Sequence, residues 1–405
     1  MRQIKNVILL TIDTLRLDVL GCYGALGYTP FIDSIQNNCI RFTRSQAVGP
    51  YTQASFPGIL TSNYFLEYDK SPNLSPKATL VSEPLKSAGV YTAAFHSNPY
   101  LNAYFGWNRG WNHFYDSMQD AIDEVNPYIK GNVINGKVNT WLSSHVSGGS
   151  YNPFFLWVHY MDLHEPYAPD NKFLNKVDDT LSFSISDYMK LFKGVILPRD
   201  ASDLKIVELL RKLYMAHVIE IDGYVQSFFD ILRKTNVLQE SIVIITSDHG
   251  EEFAEHGSLS HNGKMYAELI NVPLLVYDPR LEHGSVCDNL VSGIDISPTI
   301  LDIFGVKNPS NYKGQSLFPE KKYVSKGCYG ECIEKLQHKM RPTDKPVYYY
   351  RENDVKVIYC EDGDKWEIYN LQIDPHELNN IADSFTGAEK LKKKLMEFIN
   401  RRKQK

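Results

Sequence analysis

The stretch NVILLTID, residues 6–13, decides the fold, because a mostly apolar run, Val7–Ile12, ends in a polar segment that starts with Asp13. Short apolar runs of this kind are typical of strands buried inside a parallel sheet. Comparable runs recur along the chain at Tyr91–Phe95, Phe154–His159, Ile242–Ser247 and Leu274–Tyr277. The runs predict the strands of one central sheet.

Helical patterns lie between these runs, at Pro30–Asn37, Thr79–Ser87, Asp203–Lys234 and Ile296–Phe304. Strands that alternate with helices predict an α/β fold, with a mostly parallel central sheet sandwiched by helices. Residues 112–150 and 170–203 are polar and lack a clear period, so they are interpreted as irregular insertions or lids.

The character of the sequence changes after about residue 320. Three short runs there predict a meander of strands, and a basic segment predicts a terminal helix: Val347–Tyr350, Val355–Cys360, Trp366–Tyr369 and Gly387–Lys405. A chain of 405 residues is long enough for one large domain and a smaller one. We therefore expect an α/β catalytic domain at 1–320 and a small α+β subdomain at 321–405.

Charge and cysteine content restrict the partners and the compartment. A net charge of −5 argues against a nucleic-acid partner. The run Val7–Ile12 is far shorter than the ~20 residues that span a bilayer, and no signal-peptide pattern follows it. The six cysteines are scattered, and the pair Cys328 and Cys332 lacks the second pair of a zinc site. Reduced thiols in a cytoplasmic protein without a membrane span are expected.

Polar residues follow the predicted strands, where ligands bind in open α/β sheets. Each single aspartate has an ordinary alternative role as a turn or helix-capping residue. Carboxylates and imidazoles that recur at successive strand ends nevertheless predict a metal site. The residues concerned are Asp13, His96, Asn98, His159, Asp162, His164, Asp248, His249 and Glu251.

Several segments, in order, resemble the sulfatase family of the alkaline phosphatase superfamily. The resemblance covers most of the chain, and it implies a metal-dependent hydrolase or transferase acting on small-molecule or glycan sulfate or phosphate esters. The segments are NVILLTIDTLRLDVLGCYG, TPFIDSI, PFFLWVHYMDLHEPYAP, IVIITSDHGEEFAEHG, VPLLVYDP, DISPTILDIFG with GQSLFP, and WEIYNLQIDPHELNNIA.

The resemblance also implies one divalent metal ion, with Asp13, Thr52, Asp248 and His249 around it. Sulfatases usually carry two aspartates at the first segment, and here the second is Thr14. Mixed nitrogen and oxygen ligands favour Mn²⁺ or Zn²⁺ over Ca²⁺ or Mg²⁺.

The nucleophile segment, YTQASFPGILTS at 51–62, departs from the family pattern. Alignment on ILTS places Thr52 at the position of the cysteine or serine that sulfatases oxidise to formylglycine. Ala54 then replaces the motif proline and Phe56 the motif arginine, so the segment resembles threonine-bearing relatives of the family. Ser55 is the rival nucleophile, and a helix N-cap is the structural alternative for Thr52.

The remaining candidate residues have roles implied by the same resemblance. His164 and His261 are expected to protonate the leaving group or bind the anion. His96, near the position of a family lysine, and Asn98 are further substrate-binding candidates. A threonine ester of phosphate can be attacked by water or an alcohol, so the mechanism favours phosphoester chemistry.

Two other function classes compete with this interpretation. A catalytically inactive sulfatase-like binding protein is compatible with the altered nucleophile motif. A nucleotide-binding oxidoreductase lacks support, because no glycine-rich fingerprint follows the first predicted strand.

Overall fold

The computed structural model describes residues 3–67, 73–122, 124–149, 151–196, 201–319, 322–334 and 343–403. The domain boundary predicted between residues 320 and 321 lies outside the described residues, as do the last two residues of the predicted terminal helix.

The described residues form two larger sheets, one two-stranded ribbon and the helices around them. The strands are β1 (Asn6–Ile12), β2 (Cys39–Gln46), β3 (Tyr91–Phe95), β4 (His113–Tyr115), β5 (Phe154–Tyr160), β6 (Ser241–Thr246), β7 (Glu252–Phe253), β8 (Leu259–Ser260), β9 (Leu274–Tyr277), β10 (Ser285–Ser292), β11 (Cys328–Ile333), β12 (Pro346–Glu352), β13 (Val355–Cys360) and β14 (Lys365–Asn370). The α-helices are α1 (Pro30–Ile35), α2 (Thr52–Thr61), α3 (Ser82–Ser87), α4 (Gly131–His145), α5 (Asn171–Val177), α6 (Ile185–Leu191), α7 (Leu204–Lys234), α8 (Ala267–Ile270), α9 (Ile296–Ile303) and α10 (Ala388–Lys403).

The central sheet has the strand order β10-β2-β9-β6-β1-β5-β3-β4. Strand β1 pairs in parallel with both β5 and β6, and β3 pairs in parallel with β4 and β5. Only β9 runs against its neighbours, β2 and β6. The predicted mostly parallel sheet is confirmed.

Helices cover both faces of this sheet. Successive side chains of β1 point to opposite faces, and each set lies in a core that helices complete. Ile8, Leu10 and Ile12 face one core, which α4 and α7 complete. Val7 and Leu9 face the other core, which is built with α2, α3 and α9. The predicted sandwich of a sheet between helices is therefore confirmed.

Several elements contradict the sequence-based expectations. Residues 112–150, predicted to be irregular, contain β4 and the 15-residue helix α4. Helix α4 packs Ile134, Val138 and Leu142 into the core at intervals of four, although its other positions are mostly polar. Residues 170–203 contain α5 and α6. Strands β2, β10 and β11 were not predicted, because they mix polar with apolar residues.

The second sheet, β11-β12-β13-β14, is an antiparallel meander with α10 packed against it. This confirms the predicted α+β character of the C-terminal part. The sheet contacts the segment before α2, because the Tyr51 hydroxyl donates to the Ile333 carbonyl at 3.2 Å and accepts from the Ile333 amide at 2.9 Å. The Tyr349 hydroxyl similarly donates to the Ala47 carbonyl. None of the helices in the described part of the chain combines the length with the apolarity that crossing a bilayer requires.

Candidate metal and ester-binding site

The site lies where β1, β5 and β6 end side by side, since parallel strands bring their carboxyl ends to one sheet edge. Asp13 follows β1 directly, and its amide donates to the Tyr160 carbonyl at 2.9 Å. Thr14 adopts a left-handed conformation with φ of 55°, which is uncommon for a β-branched residue. Such a conformation is costly and is frequent at functional sites.

Asp13, Asp248 and His249 form a buried group whose ligand atoms lie within 4.8 Å of one another. The His249 Nε2 atom is 3.6 Å from Asp13 Oδ1 and 3.4 Å from Asp248 Oδ2. Neither of those two carboxylate oxygens accepts a hydrogen bond from the described residues. His249 Nδ1 donates to the Gly250 carbonyl at 2.9 Å, which leaves the lone pair on Nε2. The three residues therefore fit one divalent cation.

The pKa shifts of the Asp13 and Asp248 carboxylates also favour a bound cation. Burial raises the pKa of Asp248 well above its ordinary value, and the neighbouring Asp13 charge raises it further. Burial also opposes ionisation of Asp13, but a hydrogen bond from His159 and the charge of His249 prevail and lower its pKa. Two adjacent buried carboxylates are costly without a cation, and a metal ion between them would relieve that cost.

Thr52 reaches this group from the start of α2. Its Oγ1 atom lies 3.4 Å from Asp13 Oδ2. Asn98 bridges the two, with its Nδ2 atom 3.0 Å from Asp13 Oδ2 and 3.4 Å from Thr52 Oγ1. Tyr51, not Thr52, is the N-cap residue of α2, so the predicted N-cap role of Thr52 is wrong.

Ser55, the rival nucleophile, is placed differently. Its hydroxyl donates to the backbone carbonyl of Asp248 at 2.6 Å, and the side chain is buried. This bond ties α2 to the loop that carries the metal-site carboxylate, which is a structural role.

His159, one of the strand-end candidates for the metal site, had no specific role predicted for it. Its Nε2 atom lies 3.2 Å from Asp13 Oδ2, and its Nδ1 atom lies 2.8 Å from Thr11 Oγ1. The imidazole thus fixes the orientation of the Asp13 carboxylate. The signal in the sequence was its place at the end of the predicted strand Phe154–His159; the pairing of Thr11 with His159 on adjacent parallel strands is seen only in the structure.

His164 and His261 lie together beside the metal group. Their ring centroids are 4.9 Å apart, and the His261 ring is 4.6 Å from that of His249. His164 Nδ1 donates to the Glu165 carbonyl at 2.6 Å, and His261 Nδ1 is 3.1 Å from a Glu251 carboxylate oxygen. In both rings Nδ1 is engaged, so Nε2 is the atom at which proton exchange would take place.

A cleft of about 300 Å³ joins these groups and is lined by Thr52, Asn98, His164 and His261 among others. His96 does not line it. The His96 ring stacks on Trp157 at a centroid distance of 5.1 Å, and burial lowers its pKa to about 3. The predicted substrate-binding role of His96 therefore has no support from its position, whereas Asn98 lies in the cleft.

A buried hydrogen-bond network on α7 holds one wall of this cleft. His217 Nε2 accepts from the Ala168 amide at 3.0 Å, and His217 Nδ1 donates to Glu220 at 3.0 Å. Glu220 also accepts from Tyr224 at 2.6 Å and lies 3.5 Å from the Lys130 ammonium. The network fixes the segment that follows β5, which contains His164.

Comparison with known proteins gives two overlapping family matches. Residues 5–306 match the sulfatase family model, and residues 254–405 match the model for the C-terminal part of N-sulphoglucosamine sulphohydrolase. Arylsulfatase K from Bos taurus is 32% identical over 48% of this chain and 38% of its own length. N-acetylglucosamine-6-O-sulfatase from Bacteroides thetaiotaomicron is 29% identical over 56% of this chain and 40% of its own length. These matches thus span about two fifths of the curated relatives.

Solved structures resemble the whole chain. A protein in complex with its substrate D-glucosamine-2-N,6-O-disulfate gives a TM-score of 0.80 at 22% identity, covering 100% of this chain and 98% of that one. The phosphonate monoester hydrolase of Agrobacterium radiobacter gives 0.74 at 18% identity, covering 99% and 96%. At these identities the likeness shows the fold.

Proposed function

This chain belongs to the sulfatase family, and from that membership we propose that it is a metal-dependent ester hydrolase with Thr52 as its nucleophile. One observation carries the proposal: the Thr52 hydroxyl lies 3.4 Å from Asp13, which is one of the three residues in the buried group of Asp13, Asp248 and His249. A hydroxyl beside a metal site can become an alkoxide at neutral pH.

Asp13, Thr52, Asp248 and His249 would hold one divalent ion. When bound, the ion supplies positive charge that stabilises the Thr52 alkoxide and the non-bridging oxygens of the ester. Three oxygen ligands and one imidazole favour Mn²⁺ or Zn²⁺ over Ca²⁺ or Mg²⁺.

The chain's own residues supply the remaining steps. Thr52 Oγ attacks the phosphorus or sulfur atom, the bond to the leaving oxygen breaks, and His164 or His261 donates a proton from Nε2 to that oxygen. Asn98, which donates to both Asp13 and Thr52, keeps the nucleophile oriented. Attack by water, or by a second alcohol, then releases Thr52.

The threonine nucleophile favours phosphoesters over sulfate esters. A phospho-threonine breaks down by attack at phosphorus, whereas a sulfo-threonine lacks the elimination route that a formylglycine diol provides. The related proteins named above include sulfatases and, among structures of the same fold, a phosphonate monoester hydrolase.

A catalytically inactive binding protein is the second candidate, motivated by Ala54 and Phe56 at two motif positions. It predicts that purified protein binds ligand but shows no turnover with any metal.

We also propose a cytoplasmic location, because all six cysteines are unpaired, as is usual for thiols in a reducing compartment.

Thr52 and Ser55 offer a matched pair for the test. Thr52→Ala should lower kcat/KM by about 10³-fold or more, as loss of a nucleophile does, while Thr52→Ser should keep part of the activity. Ser55→Ala should keep most of it. Intact-mass analysis after quenching with acid should show a covalent adduct on wild type but not on Thr52→Ala. If Thr52→Ala stays active while Ser55→Ala loses activity, Ser55 is the nucleophile; full activity of both variants would rule out the covalent mechanism.

A further inference from the structure

The walls of the catalytic cleft are aromatic and proline-rich. Tyr51, Pro99, Tyr100, Pro127, Tyr128 and Phe192 line it. None of the described lining residues is a lysine or an arginine, and the ionisable groups there are two histidines, the tyrosine hydroxyls and the carboxylate of Glu165. Such a cleft provides apolar contacts for the leaving group of the substrate. It provides little positive charge to stabilise further anionic substituents on that substrate.

Two positions explain why cations are scarce there. Phe56, which stands at the motif position of an arginine, packs edge-to-face on His159 at 5.0 Å and contacts Trp107 and Trp157 in the core. His96, near the position of a family lysine, is held neutral in its stack on Trp157. Neither side chain can offset charge on a bound ester.

The charge balance of the metal group limits what the cleft accepts. One divalent ion is neutralised by Asp13 and Asp248, and the Thr52 alkoxide adds one negative charge. A phosphate monoester is close to doubly charged above pH 6, whereas a phosphodiester carries a single charge. With no lysine or arginine among the lining residues, each additional negative charge meets repulsion that is not screened in a buried site.

Glu165 adds negative charge on the leaving-group side. The residue is only 5% exposed, lines the cleft, and its carbonyl accepts from His164, which we assign to leaving-group protonation. A leaving group that reaches His164 therefore lies beside Glu165, which lines the same cleft. Anionic substituents on that leaving group are disfavoured.

We propose that this site selects singly charged phosphodiesters whose leaving group is apolar and carries no anionic substituent. The inference rests on the proposed function, because it assigns a substrate class to the same site. In the reaction, the Thr52 Oγ–P bond forms as the ester P–O bond breaks, and the departing alcohol takes its proton from a histidine. The intermediate on Thr52 is itself a phosphodiester, because it keeps the second organic group, and attack of water at phosphorus then releases Thr52 and a phosphate monoester.

The test compares kcat/KM for bis(4-nitrophenyl) phosphate, 4-nitrophenyl phosphate and 4-nitrophenyl sulfate with Mn²⁺-loaded protein. We expect the diester to exceed the monoester by about 100-fold, a difference of ~2.7 kcal/mol. Preference for the phosphate monoester or for the sulfate ester overturns the proposal.

Two variants test the cause of the preference. Gln53 also lines the cleft. Gln53→Arg places a cation there and should reduce the diester-to-monoester ratio at least tenfold, whereas the matched variant Gln53→Met should leave the ratio unchanged. Glu165→Gln should raise the relative rate for a diester with a carboxylated aryl leaving group. Unaltered ratios in both Gln53→Arg and Glu165→Gln contradict the electrostatic explanation.

The outcome is separable from that of the nucleophile assignment. If Thr52→Ala keeps turnover while the diester preference holds, Thr52 is not the nucleophile and the charge selection stands. If Thr52→Ala is inactive while wild type prefers the monoester, the nucleophile stands and the substrate class is wrong.

Discussion

Replacing Asp248 with asparagine should raise the free energy of unfolding of the metal-free protein. It should also reduce the additional stability that the protein gains when metal binds. The reason lies in the buried group of Asp13, Asp248 and His249, which brings two carboxylates together without a lysine or arginine partner among the described residues. In the unfolded chain both carboxylates are hydrated and far apart, so Asp248→Asn removes a cost that exists only in the folded state.

The structure sets the size of the effect. Two unit charges within 4.8 Å of each other repel by at least about 3.5 kcal/mol at an effective dielectric constant of ~20. Asp248 can escape part of this cost by taking up a proton, since its pKa is raised by burial and by Asp13. A gain of about 1–3 kcal/mol in the free energy of unfolding of the metal-free variant is therefore expected.

Metal should shift the difference in stability toward wild type. At 100 times its dissociation constant a metal ion stabilises wild type by about 2.7 kcal/mol. An unfolding entropy of about 2.1 cal/mol/K per residue over 405 residues converts this to a rise in Tm of roughly 3 °C. If the variant binds a hundredfold more weakly, the same metal concentration stabilises it by only about 0.4 kcal/mol.

Urea unfolding with EDTA and with Mn²⁺, repeated across pH, measures both effects. A raised folded pKa means that the folded state holds its proton more tightly. Metal-free wild type therefore loses up to about 1.4 kcal/mol per pH unit as pH rises above the ordinary carboxyl range. Asp248→Asn should show a flatter profile. The reasoning is refuted if metal-free Asp248→Asn is less stable than wild type, or if Mn²⁺ stabilises both proteins equally.

Three further predictions concern buried polar groups. Ser55→Ala should lower the free energy of unfolding by about 1–3 kcal/mol, because the Asp248 carbonyl loses its donor; urea titration measures this loss, and a neutral substitution would contradict it. His217→Leu should speed hydrogen exchange of the Ala168 amide, which loses its acceptor, and unchanged protection in mass spectrometry would exclude that role. Asp295, whose pKa burial raises to about 6, should reduce stability by up to about 3 kcal/mol as pH rises from 4 to 6, and Asp295→Asn should flatten that region of the profile.

The main sheet and the metal group could be read from the sequence because both depend on local pattern. Apolar runs identified β1, β3, β5, β6 and β9, and parallel strands must bring the residues after them to one edge. Asp13 and Asp248 follow from that rule alone, since β1 and β6 are neighbours.

The rest depends on packing that no local pattern encodes. His96 and Asn98 are two residues apart beyond the same strand, yet one stacks on Trp157 and the other enters the cleft. The sequence pattern did not predict strand β2, because its arginines interrupt the apolar run. They fit the strand because they occupy its half-buried positions. The structural role of Ser55 depends on a contact with a residue 193 positions away.

The contact between Tyr51 and Ile333 has a consequence for how the protein is made. Both hydrogen bonds that fix the Tyr51 hydroxyl, next to Thr52, come from a residue 282 positions later in the chain. At a synthesis rate of about 5–20 residues per second, the ribosome needs roughly 15–60 s to reach that point after Tyr51. During that interval the segment before α2 lacks its hydrogen bonds to β11. A nascent chain that already contains every proposed metal ligand therefore does not yet have the C-terminal sheet that holds the segment of the nucleophile in place.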